Sequence, residues 1–379
     1  MHRTGFANLP FALAHLPFTT YFRAMHLHKT SPFMKISIFL LTVLPLGLAA
    51  QPTLPLISRI AFGSCAQQDK AQPILDTVLR HRPDVFVYLG DNIYGDTKDM
   101  KVLSDKYAKL GAKPEFQRLK KGTRVLATWD DHDFGWNDAG RHYPFKKESK
   151  ELFLNFWEEP ANSPRRSHEG IYTSYIFEGN GRRVQLILLD NRTFRDDLRT
   201  YRGEFHYDNQ FFYPLDYHPH QTTDSTLLGA AQWQWLEAEL RKPADVRIIG
   251  SGSQFGISFN GYEAWANFPH EQQRLLDLIK KTRANGVLFI TGDVHYAEIS
   301  ELRDKDLYPI YDVTSSGITS TWHFATPNKN RIEGPVMENH FGLLSIDWSK
   351  NDPVIKMEIY DNRNNQRIEH SVRLSEISF

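Results

Sequence analysis

Five short apolar runs in this chain each end in polar residues of the types that bind metal ions. Such runs, rich in β-branched and aromatic residues, are typical of buried β-strands. Open sheets bind ligands where their strands end, so five runs of this kind predict five strands with their polar ends at a common edge. The runs and the residues that follow them are AFGSC with Cys65, DVFVYLGDNIYGD with Asp91 and Tyr94, RVLATWDDHDFGWND with Asp131, His132 and Asn137, RRVQLILLDNRTFRDD with Asp190, Arg192 and Arg195, and GVLFITGDVHYAE with Asp293 and His295.

Sequence spacing brings some of these side chains together. Asp293 and His295 are two residues apart, so in an extended segment both project to the same face. Asp91 and Tyr94 are three apart, which places them together on one helical turn or tight loop. Taken singly, each has an ordinary alternative: a loop or helix-capping aspartate for Asp91, and a packed aromatic side chain for Tyr94.

The segment WDDHD is more specific. It holds three carboxylates and one imidazole in the four positions from Asp130 to Asp133. These carboxylates repel one another unless a cation or deep solvation compensates, and the neighbouring Trp129 and Trp136 indicate partial burial. The pattern therefore favours a cation site over a solvated turn.

The ligand types indicate which metals would fit. Thiolate, phenolate and imidazole suit a transition metal such as iron. Carboxylate and amide oxygens suit Ca²⁺, Mg²⁺ or Mn²⁺. A mixed site of this kind can polarise a phosphoryl group and lower the pKa of a bound water.

Two arginines follow the run LILLD directly and fit an anionic substrate. Arg192 and Arg195 carry guanidinium groups, which bind phosphate oxygens in a bidentate manner. A surface ion pair with Asp196 or Asp197 is the alternative. The sequence does not decide between the two.

Composition excludes some classes of partner. Lysine plus arginine and aspartate plus glutamate both number 45 in 379 residues, so the formal net charge is zero. No bulk electrostatic attraction to nucleic acid or anionic membranes is expected, and no stable nucleic-acid partner is predicted. We expect a monomer.

The amino-terminal region reads as a targeting signal. From Met34 the chain has a lysine, an apolar stretch and then small residues, MKISIFLLTVLPLGLAAQ. This pattern predicts a signal peptide over 34–50, a secreted or periplasmic protein and no transmembrane span after cleavage; an uncleaved anchor is the alternative. Residues 1–33 are interpreted as an unstructured upstream extension. Cys65 is the only cysteine, so it is a core residue, a free thiol or a ligand.

Alternation of apolar and polar segments predicts one layered α/β domain. The predicted strands before residue 300 are Ile57–Gly63, Val85–Leu89, Val125–Trp129, Gly170–Phe177, Arg183–Leu189, Val246–Gly250 and Val287–Ile290. Predicted helices lie at Lys70–Arg82, Asp105–Lys121, Glu148–Trp157, Thr226–Leu240 and His270–Thr282. Antiparallel strands are predicted at Leu307–Thr314, Gly342–Trp348, Ile355–Asp361 and Ile368–Leu374.

The ordered set of motifs resembles the alkaline phosphatase D (PhoD-like) family of metallophosphoesterases. The segments IAFGSC, VYLGDNIYGD, ATWDDHDFGWND, LLDNRTFRDD, LGAAQWQWLEAEL, FITGDVHYAE, YDVTSSGITSTW and NHFGLLSIDW occur in that order from about residue 57 to the end. The resemblance implies a domain over 55–379 with a four-layer αββα sandwich, in which two mixed sheets pack face to face between helices.

The resemblance also implies a centre of Fe³⁺ and Ca²⁺, with Mn²⁺ or Mg²⁺ as other possible metals. By motif position, iron would be bound by Cys65, Asp91, Tyr94 and His295. Calcium would be bound by Asp91, Asn137 and Asp293, with Asp131 as a further candidate. His132 would contact phosphate or protonate the leaving group, and Arg195, with Arg192, would bind substrate phosphate.

Two departures from the family pattern are visible. The glutamate that usually follows the histidine is Asp133 here, and no definite role is assigned to it. The β-sandwich domain that precedes the catalytic domain in larger members has no room between the signal and Cys65, which leaves substrate preference open.

The predicted function is a secreted metal-dependent phosphoesterase, an alkaline phosphatase or phosphodiesterase. The predicted mechanism is in-line attack on phosphorus by metal-bound hydroxide or oxide. A non-catalytic, calcium-stabilised binding protein on the same fold is the alternative. The aromatic segment 199–226 offers a wall for a second ester substituent, although a loop packed on the body is the favoured interpretation.

Overall fold

Two mixed β-sheets account for most of the regular structure in the computed structural model, which describes residues 54–201, 216–259 and 261–379. The proposed extension (1–33) and signal (34–50) lie outside these residues, as does most of the aromatic part of segment 199–226. The strands are β1 (Leu54–Pro55), β2 (Arg59–Gly63), β3 (Val85–Leu89), β4 (Arg124–Thr128), β5 (Thr173–Gly179), β6 (Arg182–Leu188), β7 (Arg199–Thr200), β8 (Tyr217–His218), β9 (Val246–Ser251), β10 (Val287–Thr291), β11 (Ala297–Leu302), β12 (Ile310–Ser315), β13 (Arg331–Val336), β14 (His340–Asp347), β15 (Val354–Asp361) and β16 (Gln366–Arg373).

The smaller of the two mixed sheets has six strands in the order β16-β15-β14-β2-β3-β4, and the larger has eight in the order β1-β5-β6-β9-β10-β12-β11-β13. Strands β2, β3 and β4 run parallel, as do β6, β9, β10 and β12. Antiparallel strands flank both parallel sets. Strands β7 and β8 form a separate short pair.

Helices precede or follow most of the parallel strands. They are α1 (Ile74–Arg80), α2 (Met100–Gly111), α3 (Pro114–Gly122), α4 (Asp131–Phe134), α5 (Lys146–Phe156), α6 (Pro164–Ser167), α7 (Gly229–Leu240) and α8 (Pro269–Thr282). Two short 3₁₀ segments, Trp265–Asn267 and Leu374–Ile377, complete the regular structure of the described residues.

Alternation along the strands separates the layers. Ile60 and Phe62 belong to the core between the sheets, whereas Ala61 belongs to a second core formed with α1, α2, α3 and α5. Successive side chains of a strand point to opposite faces, so β2 is covered on both sides. On the larger sheet, Gln185 of β6 is buried and hydrogen-bonds to Glu239 of α7, which covers the outer face. The predicted sandwich of two mixed sheets between helices is confirmed.

Three local expectations were wrong. The predicted helix Asp105–Lys121 is two helices, because Pro114 starts α3 and holds Lys113 in an extended conformation. Strands β11 and β13 were not predicted. Strand β12, expected to be purely antiparallel, is parallel to β10 and antiparallel only to β11.

A search of the described residues found no helix that combines the length and the apolar character required to span a membrane.

Candidate metal centre

The carboxyl ends of the parallel strands of both sheets meet at one place. The backbone N–H of Ser64, after β2, donates to the carbonyl of Ser315 at the end of β12 at 3.1 Å. The Thr128 hydroxyl, at the end of β4, donates to the carbonyl of Leu189 after β6 at 2.7 Å. The expected common edge is therefore built by two sheets: β2, β3 and β4 supply three of the predicted strand ends, and β6 and β10 supply the other two.

Cys65 brings three of those strand ends together. Its buried Sγ lies 3.4 Å from Oδ2 of Asp91 and 3.7 Å from the carbonyl oxygen of Asp293. Burial and the adjacent Asp91 carboxylate raise the pKa of the Cys65 thiol. A cation at this point would oppose both effects and favour the thiolate.

Tyr94 and His295 complete the group predicted to bind iron. The buried Tyr94 hydroxyl has no hydrogen bond of good geometry, although Cys65 and Ser320 lie near it, and burial raises its pKa. His295 Nδ1 lies 3.0 Å from the carbonyl oxygen of Ser320. Because that contact assigns the proton to Nδ1, Nε2 is left with a lone pair for a metal.

Several of the predicted ligands adopt left-handed backbone conformations that non-glycine residues rarely occupy. The φ angles are 60° for Cys65, 49° for Asp91, 75° for Asp293 and 59° for His295. Each such residue costs of order 1–3 kcal/mol, and such residues cluster at functional sites. Gly90 (φ 103°) is required where it stands, because a Cβ there would lie 2.4 Å from the Asp130 side chain.

Asp131 is the common member of three groups of ligand-type side chains. Within each group the ligand atoms lie within 4.8 Å of one another. The groups are Asp91–Asp131–His132, Asp130–Asp131–Asp293 and Asp131–Asp138–Glu263. Four buried carboxylate oxygens of these groups have no hydrogen-bond donor of good geometry: Asp91 Oδ1, Asp130 Oδ2, Asp131 Oδ1 and Glu263 Oε1.

The carboxylates of this cluster outnumber the positive charges beside them, which are those of His132 and Arg192. Burial raises the pKa of Asp91, Asp130 and Asp293 well above the ordinary value, and neighbouring carboxylates add to the increase. Burial also acts to raise the pKa of Asp131, but the charges of His132 and Arg192 outweigh it and bring the pKa to about 2. Buried carboxylates in this arrangement need a cation to remain ionised together.

His132 is a partly exposed member of the cluster. Its Nδ1 is 2.7 Å from Oδ1 of Asp96, and its ring lies against Tyr94 with a centroid distance of 4.3 Å. Burial lowers the pKa of His132, but the charges of Asp91, Asp131 and Asp96 outweigh burial and raise it to about 11. The three carboxylates therefore favour the protonated imidazole, and Asp96 orients it.

Asn137 and Asp138 form the outer part of the site. Exposed Asn137 donates through Nδ2 to Oδ2 of Asp138 at 2.6 Å, which leaves its amide oxygen as the atom able to bind a cation. The Asp138 N–H donates to Oδ2 of Asp131 at 2.6 Å. Tyr217, from the aromatic segment 199–226, donates its hydroxyl to Asp138 at 2.5 Å.

The two arginines predicted to bind phosphate are fully enclosed. Arg192 donates from Nε to Asp130 at 2.5 Å and from Nη1 to Glu263 at 2.6 Å. Arg195 Nε lies 3.0 Å from Glu263 Oε1, and its Nη2 donates to the carbonyl of Asp138. Side-chain exposure is 0% for Arg192 and 1% for Arg195. The alternative, a surface ion pair with Asp196 or Asp197, was also wrong. Both arginines pair instead with buried acids that are distant in sequence, Asp130 and Glu263.

Asp133 and Asp190 hold the loops rather than face the cluster. Asp133 accepts from the N–H of Asp130 at 2.7 Å and from Asn92 at 2.6 Å. Asp190 accepts from Trp129 at 2.9 Å and from three backbone N–H groups. Both carboxylates therefore fix the segment that carries Asp131 and His132.

Sequence reasoning missed several contributors. Asp96, Asp138 and Glu263 were not proposed as site residues, and Asp130 was included only as part of the WDDHD segment. Asp130 and Asp138 lie within the WDDHDFGWND motif, so carboxylate density was the available signal. Glu263 follows no apolar run and had no local signal.

Comparison with known proteins gives a consistent assignment. A family model described as PhoD-like phosphatase matches residues 60–340. Alkaline phosphatase D of Bacillus subtilis (strain 168) is 23% identical over 283 residues, which cover 64% of this chain and 46% of that protein. The chain thus spans about half the length of this curated relative.

Solved structures share the fold. A structure titled "Structure of PhoD" superposes with a TM-score of 0.63 at 17% identity and covers 85% of this chain and 73% of its own. GAP50, titled the anchor in the inner membrane complex of Plasmodium, superposes with a TM-score of 0.53 at 14% identity and covers 83% and 88%. With the family model matching most of its length, this chain belongs to the PhoD-like phosphatase family.

Proposed function

We propose that this protein is an exported, metal-dependent phosphoesterase that hydrolyses phosphate mono- or diesters. The observation that carries the proposal is the convergence on Asp131 of buried carboxylate oxygens without donors, beside a His132 ring that Asp96 orients. Such a cluster is adapted to bind cations and, through them, the negative charge of a phosphate ester.

The donor atoms present fit two metals of different chemistry. Cys65, Tyr94, His295 and Asp91 offer a thiolate, a phenolate, an imidazole and a carboxylate, the set that suits Fe³⁺. The phenol oxygen is buried without a hydrogen-bond partner of good geometry, and the sulfur is buried beside the Asp91 carboxylate and the carbonyl of Asp293, which supports their role as ligands.

Oxygen donors dominate the other side of the site. Asp91, Asp293 and the amide oxygen of Asn137 would hold Ca²⁺, with Asp131 as a further ligand. Mn²⁺ and Mg²⁺ accept the same donors. When bound, the metals would polarise the phosphoryl oxygens and supply a nucleophilic water at neutral pH.

His132 would carry a proton to the leaving group. Asp96 orients its ring through Nδ1, which leaves the opposite nitrogen directed away from that carboxylate. A protonated imidazole can donate to a phosphate oxygen in the ground state and to the departing oxygen as the ester bond breaks. The Tyr94 ring, tilted by 36° against the imidazole, limits its rotation.

We assign Arg192 and Arg195 to positioning. Their enclosure between Asp130 and Glu263 does not support the predicted contact with substrate phosphate. Instead, the two guanidinium groups neutralise two buried acids behind the cluster. They thereby hold Asp130 and Glu263 beside Asp131.

The enzymatic proposal is tested with metal-quantified protein by the release of phosphate from phenyl phosphate and of p-nitrophenol from bis(p-nitrophenyl) phosphate. We expect hydrolysis of at least one ester and loss of it in Asp131→Asn. Asp105→Asn serves as the matched control, since Asp105 is an exposed acid paired only with Lys101 on a helix surface. Absence of hydrolysis with both metals loaded would defeat the proposal.

The alternative is a calcium-stabilised binding protein without catalysis. It is favoured by one observation, the fold similarity to GAP50, which its title describes as an anchor. Elemental analysis of native protein separates the two: calcium without a transition metal supports the binding protein, and iron supports the enzyme.

Export is part of the proposal. We infer that residues 34–50 act as a signal peptide and that the domain 55–379 is released to the periplasm or medium. Amino-terminal sequencing of the secreted protein checks this inference. A mature protein that starts upstream of Ala49 would contradict it.

A further inference from the structure

The carboxylate of Asp138 joins the outer part of the candidate metal centre to the segment 199–226. Its Oδ2 accepts from Nδ2 of Asn137 at 2.6 Å and from the hydroxyl of Tyr217 at 2.5 Å. One carboxylate oxygen therefore receives both hydrogen bonds. Because the Asn137 amide nitrogen is engaged in this way, the amide oxygen is the atom left for a cation.

The backbone of Asn137 and Asp138 is fixed by other residues of the site. The N–H of Asn137 donates to Oδ1 of Asp96 at 3.2 Å, and the N–H of Asp138 donates to Oδ2 of Asp131 at 2.6 Å. The carbonyl of Asp138 accepts from Nη2 of Arg195. None of these three contacts involves segment 199–226, so the contact from that segment acts on the Asp138 side chain.

Tyr217 is itself held by backbone contacts on two sides. Its N–H donates to the carbonyl of Gly261 at 3.0 Å, two residues before Glu263. As part of β8 it pairs with Thr200 of β7, which follows Arg195 by five residues. The hydroxyl thus reaches Asp138 from a backbone tied to the segments that carry Glu263 and Arg195.

We propose that Tyr217 is a positioning residue for the calcium side of the centre and acts through Asp138 on the amide of Asn137. This inference rests on the proposed function, in which the Asn137 amide oxygen binds Ca²⁺. An unrestrained asparagine can turn either its oxygen or its nitrogen towards a cation, and only the oxygen is an acceptor. By holding Asp138, the Tyr217 hydroxyl selects the orientation that binds, as outer hydrogen bonds do for other metal ligands.

Calorimetric titration of Ca²⁺ into iron-containing protein that a chelator has stripped of calcium tests the proposal. Tyr217→Phe keeps the ring and removes the hydroxyl, so calcium affinity should fall about tenfold while the iron content stays at the wild-type level. Asn137→Ala removes the ligand itself and should weaken calcium binding at least as much. The double variant should bind calcium no more weakly than Asn137→Ala, because Tyr217 acts through Asn137.

Tyr311→Phe is the matched control. The Tyr311 hydroxyl also donates to a carboxylate, Oε2 of Glu301, at 3.3 Å. Tyr311 lies near the amino end of β12, whereas Ser315 at the carboxyl end of that strand contacts the site. Its calcium affinity should equal that of wild type.

The proposal is overturned if Tyr217→Phe retains the wild-type calcium affinity, or if its loss adds in full to that of Asn137→Ala, as a general structural effect would. A rise in affinity in Tyr217→Phe would also overturn it, since Asp138 would then bind the cation itself once its hydroxyl donor is gone. If Asn137→Ala retains full affinity, the calcium assignment in the proposed function fails together with this inference. If only Tyr217→Phe retains it, that assignment stands and this inference alone fails.

Discussion

His340 offers a quantitative test of how the protein supports the candidate metal centre. The ring is fully buried; Nε2 accepts from the N–H of Ser316 at 3.0 Å, and Nδ1 lies 2.7 Å from the carbonyl of Glu338. Ser316 in turn contacts the Cys65 sulfur at 3.1 Å. A protonated His340 would lose the acceptor that holds Ser316.

Burial lowers the pKa of His340 from 6.5 to about 4. In the unfolded chain the ring takes up a proton near pH 6.5, and in the folded chain only near pH 4. The stability that the neutral ring supports is therefore fully present above pH 6.5 and is lost as the pH falls towards 4. A difference of about 2.5 between the unfolded and folded pKa values corresponds to about 3 kcal/mol of unfolding free energy. About 2 kcal/mol of this is lost by pH 5.

Urea unfolding at pH 8 and pH 5 measures this loss. We compare wild type with His340→Gln, in which the amide oxygen can still accept from Ser316 but does not titrate. Between the two pH values, the free energy of unfolding should fall by about 2 kcal/mol more in wild type than in the variant. Contributions from the acidic cluster cancel in this difference.

His323→Gln is the control, because His323 is exposed. It should follow wild type at both pH values. Equal pH dependence in wild type and His340→Gln would refute the reasoning. A His340 ring signal that titrates near pH 6.5 in nuclear magnetic resonance spectra would refute it independently.

Three further substitutions test the site. Cys65→Ser removes the proposed thiolate, so most of the iron and the activity should be lost while circular dichroism retains the folded signal; unchanged iron content would contradict the assignment. Glu263→Gln removes the carboxylate that pairs with buried Arg195 and shares Arg192 with Asp130, so it should cost about 3 kcal/mol in urea unfolding, and a loss below 1 kcal/mol would argue against the buried ion pairs. Ser316→Ala removes the hydroxyl that accepts from the N–H of His295 at 2.8 Å and contacts the Cys65 sulfur; iron affinity should fall about tenfold by competition with a chelator, and an unchanged affinity would show that Ser316 does not orient the ligands.

Local sequence patterns were sufficient to predict a strand that is apolar on both faces. Val85–Leu89 was predicted with the bounds that the structure has, because five buried residues in a row need no information from elsewhere. Strand β11 was missed because it buries Glu298 and Ser300. Glu298 accepts from Gln254 at 2.7 Å and from Asn328 at 2.6 Å, partners that are distant in the chain.

The arginines illustrate the same limit at the site. Their sequence neighbours, Asp196 and Asp197, suggested a surface pair, and their charge suggested phosphate. The acids that Arg192 binds are Asp130 and Glu263, which are 62 and 71 residues away. Charge type is local information, but the partner of a buried charge is decided by packing.

The sequence by itself determined the chemistry available to this protein. Apolar runs that end in cysteine, aspartate, tyrosine and histidine specify strands with ligand-type ends, and their order specifies the family. Only the tertiary structure decided that these ends come from two sheets, that Asp131 is shared by three ligand groups and that Arg192 is enclosed. The physical reason is that side-chain type and strand propensity depend on neighbouring residues, whereas distance, burial and pKa depend on groups that folding brings together.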